Sequence, residues 1–491
     1  MRVKKHGQIL SNHTQGENAG GVSFNDLRGF IALLEEAGEL KRISAEVDWD
    51  LELSHVAKLN EQNGGPALLF ENVKDYEWPV FTSALATSQR LAIALGLPKE
   101  TSFTELAKAW VIKVKTRIPP KEVKSGPCKE NILRGDEVNL FDFPAPRYYE
   151  GDGGRFIGTT HCIISRSPSS GWVNLGTHRM QILDEKSAGI WMIPGKHVQL
   201  HLKEYEALGK PMPVAVAIGV DPTVFLTASA PIPAEECEYD YIGGLRGSPI
   251  EVVRGETVDL PVPANAEVIL EGEVDPIALR DEGPYGEYSG TYQAAYPKPF
   301  MKVKCITHRN SPIHWGCTTG RPITDIHQLM ALNRTATLWS DLQNMGIPGI
   351  VGVYCPPETG GYFTTVVSVK QLYAGHARQV GTAVLSSPSG AYSTKFVVVV
   401  DDDVDPTNLS EVWWAIGMRY QPDRGTDILH RGMPSHIDPS LHHSDKHHTS
   451  RVIIDATVPF EWAPEDKPEL IALTPDIEAR VRKRWNELFS S

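Results

Sequence analysis

Apolar residues Leu27, Phe30, Ile31 and Leu34 fall at i, i+3, i+4 and i+7, between a capping Ser23 or Asn25 and Gly38 at the C′ position. That spacing predicts an amphipathic helix. Asn63-Gly64-Gly65-Pro66 then makes a turn into a strand-like run at 67–73, and helical spacing returns at 88–95 and 103–114. Residues up to about 120 therefore read as an α/β unit, closed by Pro119-Pro120 and a Lys/Pro/Gly segment reaching Cys128.

The middle third has a different rhythm. Short β-rich runs at 156–165, 172–183, 214–220, 249–253, 267–273 and 300–307 are separated by Gly, Pro and Asp, as in an antiparallel barrel or sandwich. One helix interrupts them, from His197 to Leu208, stopped by Gly209 and Pro211. From 325 onward, helices at 326–345, 376–385 and 408–418 alternate with strands at 350–354, 363–369 and 395–400, the pattern of an α/β domain. A last helix opens with Thr474 as N-cap and Pro475 at N1, followed by acidic Asp476 and Glu478. Its Ile477, Val481, Trp485 and Leu488 form one stripe that docks either on a partner subunit or on its own chain. The predicted fold class is a multidomain α/β protein: a flexible N-terminus at 1–22, an α/β domain at 23–125, an antiparallel barrel or sandwich domain at 126–320, a second α/β domain at 321–470 and a terminal helix at 471–491.

Composition narrows the partners. The 491 residues carry 61 acidic and 48 basic side chains, a formal charge of −13, with no run of five Lys or Arg. Such a chain lacks the footprint that nucleic acid or an anionic membrane surface requires. No apolar stretch resembles a signal peptide or a membrane span, which predicts a cytoplasmic protein. The six cysteines are scattered without a CxxC pair, as buried reduced thiols are.

The chemistry concentrates between 170 and 292. In 173–181, strand alternation sends Asn174, Gly176 and His178 to one face and Arg179 to the other, which a merely wet strand face would also do. His197 and Glu238 add an imidazole and a carboxylate to the Asn174 amide oxygen. That mixed set suits Mn²⁺ or Mg²⁺ with positions left for a phosphate, although a helix-start histidine and a surface carboxylate share the same spacing. Glu282 and Glu287 lie five apart in a loop stiffened by Gly283, Pro284 and Gly286. Were both to converge on Arg179, repulsion between them and attraction to the guanidinium would separate their proton affinities. An acidic surface turn is the alternative. The cluster His442, His443, His447 and His448 sits among Ser, Asp and Lys and reads as a mobile solvated loop.

Taken in order, several segments resemble the UbiD family of reversible decarboxylases that use prenylated FMN (prFMN). They are 174–179, 194–197, 231–245, Glu282-Gly283-Pro284-Tyr285-Gly286-Glu287, 262–267 with 271–273, and 395–405. The resemblance covers about residues 25–490. It implies a split β-barrel flavin-binding domain at 126–320 and reversible non-oxidative decarboxylation of an aromatic acid, of hydroxybenzoate type, through a covalent adduct with prFMN. Cinnamic-type and heteroaromatic acids are the alternatives, and a metal-dependent hydrolase is a further one. The resemblance assigns Asn174, His197 and Glu238 to Mn²⁺, and 228–230 to K⁺. Thr177, His178, Arg179, Gln181 and Lys395 join them around the cofactor, with Lys395 at its phosphate. Arg179, Glu282 and Glu287 match the catalytic network; His327 and His436 are candidates for the substrate pocket. A flavin prenyltransferase as supplier and a homo-oligomer, dimer or higher, are implied partners.

Overall fold

A computed structural model describes residues 21–435, 437–442, 448–471 and 473–489. Its centre is a nine-stranded antiparallel sheet. The strands run in the spatial order Phe156–Gly158, Met180–Asp184, Ser187–Ile190, Tyr296–His308, Val268–Glu282, Met212–Ile218, His161–Arg166 and Val173–Gly176, with Asn131–Arg134 pairing onto Tyr296–His308. The last strand in this order is followed in sequence by the second, after three residues. Four Cα steps reach about 15 Å at most, whereas six strand spacings on a flat sheet would need roughly 29 Å. The sheet must therefore curl until its ends meet, and residues 177–179 span the gap.

Alternation lets each strand serve two cores. Ile163, Val214, Val216, Leu270, Met301 and Val303 fill the inside of the curl. Their neighbours Cys162, Ile164, Ala215, Ala217 and Ile269 join an outer core with Phe30, Leu91, Trp110, Phe225 and Ile242 from the surrounding helices. A four-stranded sheet of Leu40–Ile43, Ala67–Phe70, Val80–Thr82 and His314–Trp315 flanks it. The C-terminal sheet has the order Ile350–Tyr354, Thr364–Val369, Phe396–Asp401, Thr449–Ala456, Thr426–Gly432. Its valines are buried on both faces, Val367, Val397 and Val399 in one core and Val366, Val398 and Val400 in the other, as helix-covered parallel strands require.

Most predicted elements stand within a residue or two of their expected ends. The first helix is Leu27–Glu36, but neither expected cap holds it: the Asp26 carboxylate accepts from Gly29 N at 2.8 Å. The run 172–183 is two strands broken at 177–179. Helices Pro222–Ala228 and Glu238–Arg246 are absent from the sequence reading. Gly243-Gly244 hides the second by lowering its helix propensity. Both glycines are there for close approach, since a Cβ at either would lie 2.1 Å from the carbonyl oxygen of Ile118 or Thr116.

The terminal helix spans Pro475–Lys483 and continues as Trp485–Phe489, with Ile477, Trp485 and Leu488 about half exposed, so the stripe does not dock on its own chain. No described helix is long and apolar enough to cross a membrane. All six cysteines are free, and five are buried. Of the histidine cluster, only His442 and His448 fall among the described residues.

Gly243→Ala should cost about 1–3 kcal/mol through overpacking. A lowered thermal midpoint checks it against Gly417→Ala, which meets nothing within 4 Å on an exposed helix and should gain about 0.5–1 kcal/mol.

Candidate active site

The bridge between the sheet ends delivers Arg179 to the end of the longest hairpin. Strand Val268–Glu282 stops at Glu282, paired with Tyr296 of the returning strand, and the loop between them carries Glu287. Arg179 Nε and Nη2 donate to the two carboxylate oxygens of Glu282, 2.8 Å each, while Nη1 donates to Glu287. Glu282 is fully buried, and the Arg179 side chain is nearly so at 7% exposure. The guanidinium is sandwiched by aromatic faces, with its carbon 4.1 Å from the Trp191 ring centre and 4.5 Å from that of Tyr285.

Burial pushes the Glu287 carboxyl above the usual range, with the Glu282 charge adding to the effect and Arg179 opposing it. Burial works against the charged form of Arg179, but its bonds to Glu282 and the Glu287 charge more than offset this and raise its pKa. The site therefore holds a permanent cation beside a carboxyl group that keeps its proton to higher pH than free glutamic acid. It can fix an anion and give up a proton next to it.

The loop is held from several sides. Gly283 sits at φ +100°, a conformation few side chains tolerate, and its N–H donates to Gln181 Oε1 at 2.6 Å. Asp152 Oδ1 accepts from Gly286 N at 2.8 Å. Glu287 N donates to Thr291 O at 2.9 Å, and Gly320 N donates to Glu287 O at 3.1 Å.

At the start of the same bridge, His197 Nδ1 lies 3.0 Å from Asn174 Oδ1. An amide oxygen only accepts, so Nδ1 donates here, and the same two atoms stand at the separation of neighbouring ligands on one ion. Glu238 is 2% exposed and accepts from Leu175 N at 2.8 Å. No ion pair reaches it among the described residues, and burial pushes its carboxyl up to about 8. A buried carboxylate without a counter-cation, beside an amide oxygen and an imidazole, fits a divalent ion. Among the described residues, no group of three or more His, Cys, Asp and Glu side chains is placed to hold one elsewhere.

The remaining expected residues are distributed unevenly. Thr177 Oγ1 donates to His161 O at 3.1 Å and lies 3.1 Å from Ser229 Oγ, within the 228–230 segment. His178 is buried, with Nδ1 3.3 Å from Trp191 O and its pKa driven down to about 4 by burial and then by Lys196. Gln181, expected at the cofactor, has its side-chain oxygen taken by the Gly283 turn. Lys395 lines a neighbouring cavity of about 250 Å³ with Tyr288, Phe363 and Asp438, where its ammonium bonds Asp438 and Ser440, both at 3.0 Å.

His327, expected in the substrate pocket, is fully buried, and both ring nitrogens are engaged. Nε2 donates to Tyr288 O and Nδ1 faces Thr324 Oγ1, each at 2.8 Å, so the ring clamps the Glu287-Tyr288 loop and leaves no nitrogen for a ligand. His436 lies outside the described residues. The sequence reading missed Trp191 and Asp152. Trp191 has no motif around it, whereas the glycine-flanked Gly151-Asp152-Gly153-Gly154 could have flagged a tight functional turn.

A buried arginine gripped by two glutamates where a curled antiparallel sheet closes on itself defines the site. Three family descriptions match in register: the 3-octaprenyl-4-hydroxybenzoate carboxy-lyase N-terminal domain at 31–110, its Rift-related domain at 121–322 and its C-terminal domain at 327–456. A phenolic acid decarboxylase of Sedimentibacter hydroxybenzoicus is 35% identical over 485 residues, covering 95% of this chain and 98% of the relative. The open form of vanillic acid decarboxylase from the same organism superposes with a TM-score of 0.84 at 34% identity, covering 95% of this chain and 99% of that one. An evolved dimeric form of the UbiD-class enzyme HmfF from Pelotomaculum thermopropionicum, in complex with prFMN, gives 0.81 at 30% identity, covering 93% and 98%. The chain belongs to the UbiD family and is a carboxy-lyase.

Replacing Gln181 with Leu strands the Gly283 N–H. Melting of the unloaded protein should show a loss of about 1–3 kcal/mol, the cost of a buried unsatisfied donor.

Proposed function

We propose that the protein catalyses the reversible, non-oxidative decarboxylation of a hydroxybenzoate-type acid with prFMN: ArCOO⁻ + H⁺ ⇌ ArH + CO₂. The observation that carries this reading is the convergence of Arg179, Glu282 and Glu287 in one buried site. The ring-hydroxylated acids named for the two Sedimentibacter relatives support the substrate class.

Loss of CO₂ from an sp² carbon leaves an electron pair orthogonal to the ring π system, and no side chain can absorb it. The prenylated flavin, when bound, supplies that electron sink. Arg179 orients the substrate carboxylate. Glu282 grips the guanidinium through both forks and fixes its plane. Glu287 holds the proton delivered to the carbon that CO₂ leaves. Trp191 and Tyr285 cover the guanidinium and exclude water, which strengthens every charge interaction inside.

The Asn174 amide oxygen, the His197 imidazole and Glu238 would hold Mn²⁺, whose chemistry there would be to neutralise the cofactor phosphate. Lys395 would add a point charge, with K⁺ at 228–230. The reading extends to a flavin prenyltransferase as supplier, to homo-oligomers assembled through the exposed terminal helix, and to the cytoplasm.

Four outcomes check it. Protein co-expressed with a flavin prenyltransferase should release CO₂ from hydroxybenzoates in preference to cinnamic or heteroaromatic acids; a flavin-free protein that hydrolyses esters or amides and releases no CO₂ would instead favour a hydrolase. Glu287→Gln should lower kcat by about 10²–10⁴-fold, the usual contribution of a positioned acid. Because the protonated carboxyl is the active form and its pKa is raised, kcat should hold to higher pH than a free glutamic acid allows and then fall as pH rises. Glu238→Gln should abolish Mn²⁺ uptake, read by electron paramagnetic resonance.

A further inference from the structure

Behind the Glu287 loop lies a buried charge cluster that the decarboxylation chemistry above does not use. Helix Glu52–Gln62 carries Lys58 and Glu61 on the turn that faces residues 318–321. Glu61 is 6% exposed. Its Oε1 accepts from Ser83 Oγ at 3.0 Å, and its Oε2 from Thr318 Oγ1 at 2.5 Å. Lys58 Nζ stands 4.0 Å from the same Oε2 and donates to Arg321 O.

The two residues between Thr318 and Arg321 turn the other way. Thr319 Oγ1 donates to Gly286 O at 2.5 Å, and Gly320 N donates to Glu287 O at 3.1 Å. Four consecutive residues thus form a strap whose ends grip helix Glu52–Gln62 and whose middle grips the backbone of Gly286 and Glu287. Tyr149, by donating to Thr319 O at 2.7 Å, locks the strap from a third side.

We propose that Glu61 is a positioning residue for Glu287, acting through the strap 318–321; this rests on the reading of Glu287 as the proton donor. Glu61 touches neither Arg179 nor Glu282, so it governs where the proton is held and leaves the grip on the substrate carboxylate alone. The groups facing it are Lys58 on its own helix, Asp325 at the start of helix Asp325–Asn344, Arg90 on Ser88–Ala94, and Cys317 beside Thr318. Burial first, and then the Asp325 charge, hold the Glu61 carboxyl well above the ordinary range, against Thr318, Lys58 and Ser83. A group poised in this way passes its own titration to the strap.

The test uses the flavin-loaded enzyme, four single variants and one double variant. Glu61→Ala should lower kcat roughly 10- to 100-fold, the order of loss that follows a misplaced reacting group, with KM and flavin content near wild type and a lowered thermal midpoint from the stranded Ser83 and Thr318 hydroxyls. It should also displace the alkaline limb of the kcat profile. Glu61→Gln, whose amide oxygen still accepts from Thr318, should restore most of the rate. Thr318→Val should reproduce the Glu61→Ala loss, and the double variant should lose no more than either. Ser83→Ala, which removes the bond on the side away from the strap, should leave kcat near wild type.

The proposal is overturned if Glu61→Ala keeps wild-type kcat, if kcat, KM and flavin content fall together, or if Ser83→Ala matches Thr318→Val. Should Glu61→Ala fail to fold, Thr318→Val against Ser83→Ala decides alone. A loaded wild type with no turnover on any acid overturns the decarboxylase reading; an active wild type with an indifferent Glu61→Ala overturns this inference only.

Discussion

A guanidinium buried between two glutamates is the constraint on which the rest of this molecule depends. Arg179 out of water, without partners, would be prohibitively costly, and so would either carboxylate. Together they are tolerable only if all three arrive with good geometry. The curled sheet makes that possible. Its ends are close enough for three residues to bridge, the bridge carries Arg179, and the longest hairpin ends at Glu282 just where the bridge lands. Gln181, Asp152 and His327 then fix the loop, each through a bond to backbone, so that the second glutamate meets the third arginine nitrogen.

The same bridge explains the division of labour within the site. Asn174 stands at its start beside His197, with Glu238 bonded to the adjacent amide of Leu175, a donor set suited to a hard cation. Arg179 stands at its end, held by Glu282 and Glu287. One short segment therefore fixes the spacing between the Asn174–His197–Glu238 set and the Arg179–Glu282–Glu287 set. Lys395 belongs to a different wall, on the C-terminal sheet, and its ammonium is balanced by Asp438 and Ser440. Tyr288, next to Glu287, lines the same cavity as Lys395.

Much of this was legible in the chain, for identifiable reasons. Helix spacing around Leu27, the short β-rich run at 214–220, and the switch to α/β rhythm after 325 each report burial that is local in sequence. The chemistry-bearing residues were legible because a glycine-and-proline loop with two glutamates is an uncommon combination. What stayed hidden was non-local. The helix containing Gly243-Gly244 exists because residues 116–118 press against its backbone, a contact no window of sequence contains. The break at 177–179 follows from the curl of the whole sheet. Gln181 and His327 carry the residue types of a ligand site, but the structure gives them loop-holding work, since residue type does not say which way a side chain points. Trp191 has no motif, and only packing reveals it as one face of the arginine sandwich.

The central claim is that Glu287 delivers the proton while Arg179, held by Glu282, handles the carboxylate. Hydrogen–deuterium exchange at the reacting ring carbon isolates the first half of that claim, because the arene product can be incubated with flavin-loaded enzyme in D₂O with no carbon dioxide present. The account predicts that wild type labels this one position and that Glu287→Gln does not, although it retains its cofactor. Labelling by Glu287→Gln at the wild-type rate would contradict it.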